Sequence, residues 1–132
     1  MQGRQEVLGW TLVRVVFGVM IAVAHGLPKV MDGVERHTNT VAAMGFPFPA
    51  LFAWLSALAE LAGGLLIAAG FFTRPVALIL IVNLVVAMYR HLQQGDPFSR
   101  LVLALLFIAV FAAMGLAGAG PWSLDAKVRH RA

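Results

Sequence analysis

Four long apolar segments, at about residues 7–27, 50–72, 76–92 and 101–119, constrain this sequence more than any other feature. Each has about 17 to 23 residues, the length that an α-helix needs to cross the roughly 30 Å hydrocarbon core of a bilayer. The segments are apolar throughout instead of alternating, which favours helices over the strands of a membrane β-barrel. We therefore predict one all-α domain over residues 1–132, an integral membrane four-helix bundle with a long outward loop between helices 1 and 2.

The composition agrees with a lipid environment and excludes several classes of function. Charged residues make up only 12% of the chain, about half the fraction in a typical soluble domain. The sequence has no cysteine, which excludes disulfides, thiolate metal sites and cysteine redox chemistry within this chain alone. The net charge of +4 comes from Lys and Arg residues scattered near helix ends and loops. We therefore expect the lipid bilayer, and not nucleic acid, as the partner of this charge.

The distribution of basic residues predicts a topology. Those near the termini and the middle turn outnumber those at the opposite helix ends by five to four: Arg4, Arg74, Lys127, Arg129 and Arg131 against Lys29, Arg36, Arg90 and Arg100. The positive-inside rule then favours a multi-pass protein of the cell inner membrane with both termini in the cytoplasm. The loop from Pro28 to Pro49 would face outward, and its stretch from Val34 to Met44 is predicted to form a short interfacial helix.

The N-terminal segment has a second interpretation as a cleaved signal peptide. Arg4, the apolar stretch and the small residues Ala22 and Ala24 are typical of one. Arg14, however, interrupts the apolar stretch, and Glu6 lies in the basic region. We therefore expect the first apolar segment to be a retained membrane span.

Ionisable side chains inside membrane spans are costly and usually face the bundle interior, so each is a candidate functional residue. Glu60 lies near the middle of the second span. On the first span, Arg14 and His25 share a face, since eleven residues correspond to about three helical turns. The other candidates, at the outer ends of spans or along one stripe of the third, are Lys29, Asn83, Arg90 and His91. We predict an outward polar pocket between the first three helices with Glu60 at its floor, and a fourth helix that is a lipid-facing wall or a partner contact.

Each candidate also has a purely structural interpretation. In this interpretation Glu60 pairs with Arg14 or Arg90 and fixes the helix register. His25 and His91 are typical interface residues, and a haem is disfavoured because its axial ligands must lie at matching depth. Asn83 is a typical interhelical contact, and the basic side chains at span ends can extend to the headgroups. No metal site is predicted.

Several motifs resemble those of the DoxX family of membrane proteins, and together they cover nearly the whole chain. They are Arg14 with Gly18, the His25-Gly-x-x-Lys29 motif, the Gly-Phe-Pro-x-Pro segment before the second span, the stretch from Glu60 to the Thr-Arg turn at Arg74, and the closing Gly-Pro-Trp-Ser-Leu-Asp125. DoxX relatives are small four-helix proteins associated with membrane oxidoreductases, including a thiosulfate:quinone oxidoreductase. The family has no agreed catalytic residues, so the resemblance supports only the motif positions Arg14, His25, Lys29, Glu60 and Arg74.

Two hypotheses on function follow. In the first, the chain is a subunit of a membrane oxidoreductase that binds a quinone-like molecule and works with a partner redox protein or as a homo-oligomer. Glu60 and His25 would then be catalytic, and a structural turn would contain Arg74. The residues expected to bind the substrate are Arg14, Lys29, Asn83, Arg90 and His91. In the alternative, the chain is a non-enzymatic membrane scaffold or a small-molecule carrier.

Overall fold

The computed structural model describes residues 3–131, which form six helices and no strand. The helices are α1 (Arg4–Met31), α2 (Val34–Ala43), α3 (Pro49–Ala69), α4 (Thr73–Gln93), α5 (Phe98–Ala117) and α6 (Leu124–Arg131). Four of them, α1, α3, α4 and α5, are long and apolar enough to span a membrane. The predicted all-α membrane bundle is thereby confirmed. We call the end of the bundle with α2 and the α4–α5 turn the loop end, and the end with α6 the terminal end.

The turn between the second and third spans lies three residues earlier in the chain than the sequence indicated, at residues 70–72. The α3 helix ends at Ala69, because Gly70 adopts the left-handed conformation (φ 70°) that commonly terminates helices. Thr73 and Arg74, expected in the turn, form the first turn of α4 instead. The Arg74 side chain lies beside Gly118, just after α5. It therefore belongs to the terminal end of the bundle.

Glycines allow α1 and α3 to cross in close contact. A Cβ atom at Gly64 would lie 2.6 Å from the carbonyl oxygen of Gly18, and one at Gly26 would overlap the backbone nitrogen of Leu61. Backbone atoms meet backbone atoms at both points, so neither helix has room for a side chain there. These contacts fix the register of α1 along the middle of α3.

The fourth span, α5, is more than a lipid-facing wall, and this corrects the prediction. Its residues Phe107, Phe111 and Met114 are buried in a core cluster with residues of α1, α3 and α4. The ring of Phe107 also meets that of His25 edge to face, at 5.7 Å between centroids. Hydropathy could not predict this, because an apolar side chain is equally suited to lipid and to the bundle interior.

The segment after α5 turns back across the terminal end, and α1 holds it by side-chain hydrogen bonds. The Trp10 indole N–H donates to the carbonyl of Gly118 at 3.0 Å. The Arg14 guanidinium donates to the carbonyls of Ala119 and Trp122 at 2.5 and 3.0 Å. Because these carbonyls lie beyond the last turn of α5, they have no helical partner and are free to accept.

This contact corrects the predicted place of Arg14. Only 2% of the residue is exposed. Its guanidinium is not paired with Glu60 but donates to carbonyl oxygens at the terminal end, and its charge interacts with the carboxylate of Asp125. A buried guanidinium has five donors and requires acceptors, which the closing segment supplies. Arg14 therefore contributes to the fold of the terminal end and lies away from Glu60.

Asp125, in the first turn of α6, connects the same segment to the start of α4. Its carboxylate accepts hydrogen bonds from the backbone N–H groups of Phe72 and Thr73 at 2.8 and 3.0 Å, and its own N–H donates to the carbonyl of Gly70. Burial raises the pKa of Asp125, but these N–H donors and the nearby Arg129 outweigh it, so the pKa lies below its ordinary value. The carboxylate acts as an N-terminal cap of α4 supplied from another helix.

The glycine crossing predicts a difference between two Gly→Ala substitutions. Gly64→Ala should lower the free energy of unfolding by about 1 to 3 kcal/mol, since the new methyl group meets backbone that cannot move aside. Gly115→Ala on α5 is the matched control, because a Cβ there meets nothing within 4 Å. Unfolding of the detergent-solubilised protein measures both, and equal effects of the two changes would contradict the close crossing.

The cap supplied by Asp125 predicts an acid-dependent loss of stability. A carboxyl whose pKa is depressed by folding stabilises the protein fully above its unfolded pKa of about 3.9 and loses this contribution as the pH falls through the lower folded value. Asp125→Asn should therefore be less stable than the natural protein at pH 6, and the difference should shrink as the pH approaches about 3. Asp32→Asn, at an exposed position, should show no such difference.

Candidate functional site

A buried ion pair joins α1 and α3 near the middle of the bundle. The Lys29 ammonium lies 2.7 Å from each carboxylate oxygen of Glu60. The Glu60 side chain is 4% exposed and that of Lys29 is 27% exposed, so the carboxylate is enclosed while the ammonium retains a path outward. Pairing is what makes a charged carboxylate tolerable at this depth.

The local structure of α1 explains why Lys29 reaches Glu60. The helix is π-helical over Ile21–Gly26, a rare form that often occurs at functional sites. Gly26, at the end of this stretch, contacts the backbone of Leu61, the residue after Glu60. Lys29 follows one turn later, and its long side chain can therefore extend over the carboxylate.

Two further polar side chains complete the site. The side-chain amide of Asn83, on α4, donates to Glu60 Oε1 at 2.7 Å, and its carbonyl oxygen accepts from the hydroxyl of Ser56 at 2.6 Å. The Glu60 carboxylate thus accepts three hydrogen bonds, two from the Lys29 ammonium and one from the Asn83 amide. We call Lys29, Ser56, Glu60 and Asn83 the polar centre.

An apolar cavity of about 280 Å³ ends at the polar centre, between α3 and α4 and beneath α2. Its walls include Leu55, Ile79 and Val82, which are 53%, 55% and 58% exposed on the outer surface of the spans. Exposed side chains of membrane spans face lipid, so the cavity opens sideways toward the bilayer. We call it the lipid-facing cavity. It combines an apolar body with a polar end, as expected of a site for a small amphipathic molecule.

The α2 helix covers the lipid-facing cavity and contributes His37 to its lining. The Nε2 atom of His37 is buried and has no hydrogen-bond partner among the described residues. Burial lowers the pKa of His37, and the nearby Lys29 lowers it further, whereas Glu60 acts in the opposite direction. The imidazole is therefore held neutral, with one nitrogen available to a ligand.

A second cavity, of about 480 Å³, reaches the polar centre from the other side. His25 and His91 line it, together with Lys29, Glu60 and Arg100, and we call it the histidine cavity. His91 Nδ1 lies 2.7 Å from the carboxylate of Asp96 in the loop-end turn. The Lys29–Glu60 pair forms part of the wall of both cavities and so separates a lipid-facing space from a polar one.

The structure brings most of the predicted residues together, although their roles in binding or catalysis remain predictions. Lys29, Glu60 and Asn83 are in direct contact, and His25 and His91 lie in the histidine cavity. The expected partner of Glu60 is corrected: it is Lys29 and neither Arg14 nor Arg90. Arg90 and Arg74 line neither of the two cavities. Helix periodicity had placed Arg90 on the same stripe as Asn83, but Arg90 lies two turns beyond it and outside both cavity linings.

Sequence analysis missed Ser56 and His37, and both carried a detectable signal. Ser56 precedes Glu60 by one helical turn and therefore lies on the same face of an otherwise apolar span. His37 falls between Val34 and Val41 at the spacing of a buried helix stripe, and both of these valines are buried.

The unequal exposure of the two charges predicts unequal costs of neutralising them. Lys29→Met leaves an enclosed carboxylate without its cation and should cost about 3 kcal/mol of stability. Glu60→Gln should cost less, because Lys29 can turn toward water, and Lys29→Met combined with Glu60→Met should recover most of the loss. Arg100→Gln, at an exposed ion pair, is the control and should cost about 0.5 kcal/mol or less. A cost of Lys29→Met no larger than that of the control would contradict the buried pair.

Comparisons with known proteins identify the family and a membrane relative. The DoxX family model matches residues 9–92, a range that includes the entire polar centre. The inner membrane protein YphA of Escherichia coli (strain K12) is 36% identical over 117 residues, which cover 83% of this chain and 83% of that protein. No solved structure matches the chain. On the extent of these matches, the chain belongs to the DoxX family.

Proposed function

We propose that this protein is a membrane subunit of an oxidoreductase and binds a quinone-like molecule in the lipid-facing cavity, with the ring at the polar centre. One observation carries the proposal: an enclosed carboxylate, held by an ammonium and an amide, lies at the end of an apolar cavity that opens toward lipid. Quinones are dissolved in the bilayer, and such a cavity admits them without passage through water.

The polar centre has the donors that a quinone ring requires. A quinone carbonyl accepts hydrogen bonds, and the Lys29 ammonium has three N–H groups, of which Glu60 occupies two. The neutral imidazole of His37 is a second group facing the ligand. These side chains are arranged to hold the carbonyl end of the ring, while the apolar walls contact the rest.

Reduction of a quinone to a quinol consumes two electrons and two protons. Negative charge develops on the ring oxygens, and the Lys29 ammonium is placed to stabilise it and to donate a proton. Glu60 orients the ammonium and is the carboxylate through which the proton can be replaced. The chain has no cysteine, so the two electrons come from a partner redox protein or from a bound cofactor, and not from a thiol of this chain. We propose such a partner, or a second copy of this chain, as the physiological assembly.

We also propose an orientation in an inner membrane with both termini in the cytoplasm. The basic residues of α6, which include Lys127, Arg129 and Arg131, are exposed at the terminal end. Exposed basic residues close to a span favour the cytoplasmic side. The two cavities would then be reached from the outer half of the bilayer and from the outer aqueous phase.

The proposal predicts that quinone is retained by the purified protein and lost when the lipid-facing cavity is filled. Ala59, a wall residue beside Glu60, changed to Phe should reduce bound quinone at least about tenfold, equivalent to about 1.4 kcal/mol. Glu60→Gln should reduce it as well, through the altered polar centre. Extraction of the protein in nanodiscs, followed by chromatography of the lipids, measures the bound quinone.

Glu35→Gln, at an exposed position of α2, is the matched control for Glu60→Gln and should retain quinone at the natural level. Quinone bound equally by the natural protein, Ala59→Phe and Glu60→Gln, or by none of them, would overturn the proposal. If quinone is absent and proteoliposome uptake of a solute depends on Glu60, the carrier alternative is favoured. The two cavities that meet at one ion pair are the feature that supports that alternative.

A further inference from the structure

Glu60 is the acidic residue that both cavities share, and the two cavities differ in chemistry. Ten of the fifteen residues that line the lipid-facing cavity are apolar, whereas six of the twelve that line the histidine cavity are ionisable or polar. The sequence predicted one polar pocket at Glu60, and one pocket does not account for two cavities of different chemistry. A carboxylate at the junction of a polar and an apolar space is accessible to two classes of reactant.

Side-chain exposure decreases stepwise along the histidine cavity. Arg100, at the loop end, has a side chain that is 65% exposed, that of His91 is 30% exposed and that of Glu60 is 4% exposed. His25, which lines the same cavity, is half-buried and packs edge to face on Phe107. The cavity therefore leads from the aqueous surface at the loop end inward to the polar centre.

The polar half of the histidine cavity's lining can hold water. A space of about 480 Å³ exceeds the roughly 30 Å³ that one water molecule occupies in the liquid, and its imidazole, hydroxyl and charged groups provide the two to four hydrogen-bond partners that a buried water requires. An apolar cavity of the same size would remain dry. Water and imidazole together are the groups that relay protons in proteins.

We propose that the histidine cavity is an aqueous inlet that delivers protons from the loop end to Glu60, with His91 and His25 as relay groups. This proposal deepens the proposed function. It rests on that function only in taking the quinone-like ligand as the group that finally accepts the proton. Glu60 would then be reached by a ligand from the membrane through the lipid-facing cavity and by protons from water through the histidine cavity.

The relay step transfers one proton and no electron. A proton enters on water or on the imidazole of His91, whose Nδ1 is held by Asp96, and passes by way of water and His25 to a Glu60 oxygen. One hydrogen bond from Lys29 to that oxygen is broken, and the ammonium is released toward the ligand. The charged and titratable groups near Glu60 are Lys29 and His25 from α1 and His37 from α2; His91 of α4 and Arg100 of α5 line the same cavity as Glu60.

The natural absence of cysteine makes a direct test of water access practical. Ala104 lines only the histidine cavity and Ala59 only the lipid-facing cavity, so Ala104→Cys and Ala59→Cys are a matched pair. In nanodiscs, the membrane-impermeant reagent methanethiosulfonate ethylsulfonate should modify Ala104→Cys at least about tenfold faster, because a thiol in apolar surroundings has a raised pKa and little reactive thiolate. The membrane-soluble N-cyclohexylmaleimide should modify both, which shows that each variant is folded and reactive. Ala104→Cys modified no faster than Ala59→Cys would overturn the inlet.

Proton delivery has its own readout in the infrared band of the Glu60 carboxyl, assigned by its loss in Glu60→Gln. At a pH low enough to protonate Glu60, exchange into D₂O should be rapid in the natural protein and slowed at least about tenfold by Ala104→Leu, which fills the inlet; Ala59→Leu should leave the rate unchanged. Equal exchange rates in the two variants would refute the route. Neither measurement needs quinone, so a protein that passes both and retains no quinone would refute the proposed function alone.

Discussion

The cost of placing a carboxylate inside the hydrocarbon of a membrane governs the organisation of this protein. Glu60 is almost fully enclosed, and an unpaired charge there would be expensive enough to prevent folding or to force protonation. Asn83 of α4 and Lys29 of α1 compensate for it, and Lys29 can do so because α1 lies closer to α3 than side chains would normally permit. The glycines at the crossing thus serve the ion pair, since a wider separation of the two helices would move the ammonium out of reach.

The two ends of the bundle have different tasks. At the terminal end, Trp10, Arg14 and Asp125 fasten the segment after α5 to α1 and to the start of α4. Nearer the loop end lie the polar centre and the two cavities that reach it. This division suits a protein whose fold is held together at one end and whose ligands enter at the other.

The sequence predicted the fold class well, because span length and hydropathy are properties of short segments. It also identified Lys29, Glu60 and Asn83 as functional candidates, since each is a polar residue in or next to an apolar span. It did not predict which residues would pair. The choice of Lys29 over Arg14 as the partner of Glu60 depends on the Gly26 contact, and the partner of Arg14 lies more than 100 residues away in the closing segment. Phe107 was not predicted to be a core residue, because hydropathy does not distinguish an apolar side chain that faces lipid from one that faces the bundle interior.

The central claim is that a quinone-like ligand lies in the lipid-facing cavity against the polar centre. Photoaffinity labelling with an azidoquinone, followed by peptide mapping, tests it most directly. The account predicts label on α3 and α4 at the cavity walls, near Ala59 and Val82, and loss of this label in Ala59→Phe. Label spread over the outer faces of the spans, or label that persists unchanged in Ala59→Phe, would contradict it.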